Sequence, residues 1–154
     1  MIAESLTTIE AWAPVAALRH SMLAYPLVNA GHILGVALLV GGIVPLDLRL
    51  AGLWPRVGIA HLWTVLARTA AAGFMLALVT GLLLFATRAT EYVASSLFLG
   101  KLALIVLAGL NAAWFLRHHA TAGSALPATV RFGAIASMAL WLSALLLGRL
   151  VGYF

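Results

Sequence analysis

The chain contains no cysteine and only four acidic residues, Glu4, Glu10, Asp47 and Glu91. The first absence excludes disulfides, thiolate-held metals and c-type haem attachment. A metal here has to be held by histidine, methionine or oxygen, or arrive inside a porphyrin. The scarcity of carboxylates excludes a second class: no acidic relay runs through the apolar segments, which argues against a pump. Hydrolytic chemistry is not expected either, since no nucleophile and base share one depth with an oxyanion-stabilising group. A basic n-region followed by an apolar stretch is also missing, because Glu4 and Glu10 precede the first basic residue, Arg19. The N-terminus therefore does not read as a cleaved signal peptide. There is no internal repeat and no low-complexity tract.

What is present is apolar. Of 154 residues, 64% are hydrophobic and 8% charged, and the mean hydropathy is +1.11. A soluble domain of this size has no use for so much apolar surface. Four stretches, near 27–46, 69–87, 97–116 and 132–151, have the roughly 20 residues a helix needs to cross about 30 Å of hydrocarbon. Backbone polar groups in lipid must be satisfied within the chain, so these spans are expected to be helices. Short connections make consecutive spans antiparallel neighbours. The expected fold class is all-α, a single transmembrane domain over 1–154 built as a four-helix bundle.

Residues 5–24 are expected to form a short helix on the membrane surface. Thr7-Thr8-Ile9-Glu10 has capping-box spacing, and Ile9, Trp12 and Ala16 share a face. Pro14 and Pro26 rule out one straight helix from there into the first span. That span is expected to close at Pro45 and Asp47, while the second helix starts before the membrane does, between Arg56 and Arg68. Arg88 to Tyr92 reads as a short outer turn, and 117–131 as the longest polar loop.

The net charge of +5 does not indicate nucleic acid, because the basic residues are spread over both membrane faces. Arg49, Arg56, Arg68, Arg117 and Arg131 fall on one face, and Arg19, Arg88, Lys101 and Arg149 on the other. Basic excess in short loops marks the cytoplasmic side, so both termini are expected outside.

One histidine, His32, falls inside the first span. An intramembrane imidazole is expensive and marks a site by default. On a helix, Val28, His32, Gly35, Leu39 and Gly42 line one seam. Two occupants of that seam are open. Gly35 and Gly42 leave a surface on which a flat ring ligated by His32 can lie. Alternatively, Gly31 and Gly35 form a GxxxG pair whose ordinary use is close helix packing, with His32 bonding a carbonyl across the bundle.

Alternating span direction places Arg88, Lys101 and Arg149 at the depth of His32. Cations there suit the propionates of a b-type haem, although snorkelling helix-end residues look the same. A second axial ligand is lacking at that depth in the other spans, so the other face of such a ring is open, or met by the surface segment's His20, beside Met22, or by another chain. His61 with His118 and His119 form a second, cytoplasmic cluster that suits a divalent metal or reads simply as solvated surface. Arg68 and Asp47 are expected to pair and lock the first hairpin, while Asn111 and Thr80 join helices.

The run Leu23-Ala24-Tyr25-Pro26-Leu27-Val28-Asn29-Ala30-Gly31-His32-Ile33-Leu34-Gly35, followed by Leu38-Leu39-Val40-Gly41-Gly42 and Asp47-Leu48-Arg49-Leu50, resembles a widespread family of small bacterial four-span membrane proteins of unknown function. Val79 to Phe85 and Ala108 to Asn111 are similar to the same family. More distantly, the pattern resembles the four-helix cores of cytochrome b561-type and copper-resistance D-type membrane proteins. That resemblance implies haem held by transmembrane histidines, or copper handling, and His32 is the residue that matches such a position.

The leading expectation is a small subunit of the bacterial inner membrane that binds haem b and passes electrons between the quinone pool and a periplasmic partner. In it His32 is an axial ligand, Gly35 and Gly42 make room, Lys101, Arg149 and Arg88 hold propionates, and His20 is the candidate second metal ligand. Its alternative is a cofactor-free scaffold or assembly subunit of a larger membrane complex, with pigment binding or copper handling as variants. Lipid is an expected partner in every case, together with another protein or a second copy of the chain.

Overall fold

The computed structural model describes residues 2–119 and 127–153, and among them every regular element is an α-helix. Seven helices follow one another: α1 (Ile2–Ala11), α2 (Ala13–His20), α3 (Ala24–Ala51), α4 (Ile59–Thr87), α5 (Ala89–Ala94), α6 (Ser96–His119) and α7 (Ala128–Leu150). Four of them, α3, α4, α6 and α7, are long and apolar enough to cross a membrane. The chain is thus an all-α, multi-pass membrane bundle, with apolar outer faces suited to lipid.

Element boundaries follow local chemistry. Pro14 stands in the first turn of α2 and Pro26 in that of α3, where a missing N–H costs nothing. Pro45 does not end the first span, as its sequence position implied. The helix runs on through it to Ala51 and stops at Gly52, whose φ of 112° is open to glycine. This continuation carries Asp47 into the helix interior and buries it. As expected, α4 starts at Ile59, ahead of its apolar stretch.

Packing is uneven around the bundle. Helix α3 lies close against both α4 and α7, and α7 against α6, but α4 and α6 do not approach closely at the backbone. Consecutive spans are therefore not all close neighbours, contrary to the expectation from short connections. Large side chains close the α4–α6 side instead. Trp63 stacks on Phe115 at 5.3 Å toward one end, and Phe85 on Phe98 at 5.6 Å toward the other. Between these ends, Leu39, Ala70, Ala108 and Trp141 form the central core, with Phe74 edge-on to Trp141.

The N-terminal helices cap the end at which α3 begins. Helix α1 packs on α5 and α4, and α2 on α4 and α3. The Thr7–Glu10 segment is no capping box for its own helix. Thr7 and Thr8 donate to the Glu4 carbonyl within α1, and Glu10 Oε1 accepts from both the N–H (2.7 Å) and the hydroxyl (2.8 Å) of Thr90. Glu10 thereby caps α5, a short helix where the sequence indicated only a turn. Those two donors hold its carboxyl below the usual carboxylate range.

Candidate functional site

The seam of α3 carries the residues that spacing placed there. Gly35, Leu39, Gly42 and Leu46 are buried, with His32 half-buried at its upper end. Facing them on α4 are Ala70, Gly73, Ala77 and Thr80, also buried. Without side-chain bulk, the two backbones come together. A Cβ at Gly35 would stand 2.5 Å from Ala77 N and 2.9 Å from Gly73 O, and one at Gly42 would stand 2.7 Å from Leu66 O. At Gly73 a Cβ would run into Leu39 N. The surface that Gly35 and Gly42 leave on α3 is covered by the α4 backbone. Gly31, the other half of the GxxxG pair, also faces α4, where a Cβ would lie 3.3 Å from Thr80 Cγ2.

His32 completes the same seam. Its Nδ1 lies 2.9 Å from the Ala77 carbonyl and 3.2 Å from Thr80 Oγ1. A carbonyl only accepts, and the Thr80 hydroxyl already donates to Leu76 O, so the ring proton sits on Nδ1 and is shared by both oxygens. In the neutral ring Nε2 then carries the lone pair. Gly81 makes room for the ring on α4, since a Cβ there would be 3.0 Å from His32 Cε1. Sequence reasoning missed Gly73, Ala77 and Gly81 as the partners. Their spacing of four, on the face opposite the α3 glycines, was the available signal.

Of the three cations expected at this depth, Lys101 is within electrostatic reach of the His32 ring. Its side chain lies along α7, where a Cβ at Gly148 would be 3.2 Å from Cε and 3.3 Å from Nζ. Arg88 and Arg149 are engaged elsewhere. Arg88 is exposed and pairs with Glu91 at 3.3 Å, while Arg149 donates to the Tyr153 hydroxyl at 2.7 Å and lies over its ring. His20 ends α2 as an exposed residue, with Met22 fully outward beside it, and no hydrogen bond joins His20 to His32. Among the described residues, no group of three or more histidine or acidic side chains is placed to hold a metal ion. The second cluster, His61 with His118 and His119, lies outside the described side chains.

Two further contacts bear on expectations. Asn111 Nδ2 donates to Gly133 O at 3.1 Å and so joins α6 to α7, as expected of a polar group in lipid. Asp47 does not meet Arg68: the arginine is exposed, and the carboxylate is buried facing Ser137 of α7. The reason is the continuation of α3 past Pro45, which turns residue 47 inward.

Compared with protein-family models, curated proteins and solved structures, the chain finds no match in any of the three.

Proposed function

We propose that this chain is a cofactor-free scaffold or assembly subunit of a larger complex in the bacterial inner membrane, with both termini periplasmic. The observation that carries the reading is the closure of the α3–α4 seam. The histidine and glycines that spacing offered to a ring are spent on an internal helix contact: Gly35 and Gly42 on the α4 backbone, His32 on the Ala77 carbonyl. A pre-packed hairpin of this kind leaves the outer faces of α4 and α6 for lipid or for a partner. Orientation rests on the excess of arginine at the α3–α4 and α6–α7 connections.

A second reading is favoured by one observation. Metal-ligating histidines donate their other ring N–H to a carbonyl or carboxylate, and the Nδ1–Ala77 bond does this while leaving Nε2 free of a described hydrogen-bond partner. In that reading His32 is an axial ligand of haem b, serving electron transfer between the quinone pool and a periplasmic partner. Lys101, within electrostatic reach of His32, is the cation for a propionate, and the ring lies outside the α3–α4 seam.

The visible absorption spectrum of the detergent-purified protein, oxidised and reduced, separates the two. The scaffold reading expects a colourless preparation that keeps a stoichiometric protein partner in mild detergent. A Soret band abolished by His32→Ala would replace it with the haem reading.

A further inference from the structure

Asp47 lies within α3 at 6% exposure, and it faces α7 rather than a cation. Its carboxyl faces the hydroxyl of Ser137, itself 7% exposed, and Asp47 Oδ2 has no hydrogen-bond partner. One turn along α7, Trp141 is 6% exposed and its Nε1–H is also without a partner. One acceptor and one donor are thus left open on helices that pack together, both far from solvent. A buried carboxylate with no counter-charge is among the costliest groups a bundle can hold.

The surrounding side chains do not supply that charge. Arg49, two residues along α3, donates to the carbonyls of Val57 and Pro55. Arg131 of α7 lies over Gly52, and Arg68 of α4 and Arg117 of α6 are exposed. What α4 and α6 turn toward this end of the α3–α7 contact is Ile59, Trp63, Leu66, Ala67 and Phe115. A single carboxylate, moreover, is too little for a divalent ion, which draws on several oxygen ligands.

We propose that Asp47 and Ser137 form a binding site for a small monovalent cation, a proton or a sodium ion, in the seam between α3 and α7. Either occupant cancels one negative charge and takes up the open Oδ2. Sodium entering the protonated site releases one proton, so charge is conserved in the exchange. The site is independent of any haem and of the scaffold reading.

Infrared difference spectra of the full chain in liposomes test this, taken across pH in choline chloride and in sodium chloride at equal ionic strength. The wild type is expected to show a protonated-carboxyl C=O band that is lost in Asp47→Asn and shifted in Ser137→Ala. Loss of the band on exchanging choline for sodium at fixed pH identifies sodium as an occupant. An identical band in both salts identifies the proton alone. The proposal is overturned if no such band is present at neutral pH, where exposed carboxyls are ionised, and the carboxylate bands ignore sodium, because a side chain then neutralises Asp47. The other carboxylates, Glu4, Glu10 and Glu91, lie outside the spans, so the wild-type and Ser137→Ala spectra decide the matter even if the asparagine variant fails to insert.

Discussion

Helices α3 and α4 meet backbone to backbone, whereas α4 and α6, the next pair along the chain, meet ring to ring. The difference lies in residue size at the contact. On the first side Gly35, Gly42, Gly73 and Ala77 remove the bulk that keeps helices apart; on the second Trp63, Phe85, Phe98 and Phe115 span the gap. In lipid, water does not drive helices together, so association depends on how many atoms come into contact and on hydrogen bonds between helices. A glycine seam has both, since it brings Cα atoms together and lets His32 reach the Ala77 carbonyl. Aromatic bridges fill space but fix the helices less tightly, because the contact is made far from either axis.

The largest expected effect therefore belongs to the glycine seam. Gly35→Leu drives a side chain into Ala77 N and Gly73 O, and backbone cannot swing aside as a flexible side chain does. A loss of about 3 kcal/mol is expected, the upper end of ordinary overpacking, read as a lowered midpoint of unfolding in mixed micelles. Gly109→Leu is the matched control, since nothing lies within 4 Å of a Cβ there, and the midpoint should stay or rise slightly. Equal losses for the two variants would break the contrast at its root.

A smaller loss is expected on the ring side. Phe98 contacts Phe85 at 5.6 Å and Tyr92 at 4.9 Å. Phe98→Leu keeps most of the apolar volume but removes both ring contacts, each worth about 1 kcal/mol beyond area. The expected decrease in the same unfolding assay is thus about 1–2 kcal/mol. A loss matching that of Gly35→Leu would mean that the rings fix α4 to α6 as firmly as the glycines fix α3 to α4.

The parts of this architecture legible in sequence are those governed by one-dimensional pattern. Apolar length marked all four spans, and the four-three spacing from Val28 to Gly42 marked the packed face of α3. What that face packs against was not legible. A glycine pair reads the same whether a ring or a helix lies on it, and the choice fell to Gly73, Ala77 and Gly81 on another helix. Asp47 was misplaced for a related reason, since Pro45 looked like an end and the structure shows the helix continuing beyond it. Glu10 was read as part of a local box because its true partner, Thr90, stands 80 residues away.

That last contact gives the smallest and most local effect. The Glu10 carboxyl caps α5 through the Thr90 N–H and hydroxyl, which hold its pKa below the usual carboxylate range. For a lowered folded-state pKa, the stabilisation is complete above the ordinary carboxylate value and is lost as pH falls through the lowered one. Amide exchange at Thr90, corrected for its intrinsic pH dependence, should accordingly speed up on acidification in the wild type. In Glu10→Gln, where an uncharged oxygen replaces the carboxylate, it should be faster at neutral pH and then indifferent to acid. The position is only partly buried, so screening keeps the gain small, and the midpoint of global unfolding should hardly move. A global shift as large as that of Phe98→Leu would place the α1–α5 contact within the cooperative unit of the bundle, and so add a third kind of joint to the glycine seam and the aromatic bridge.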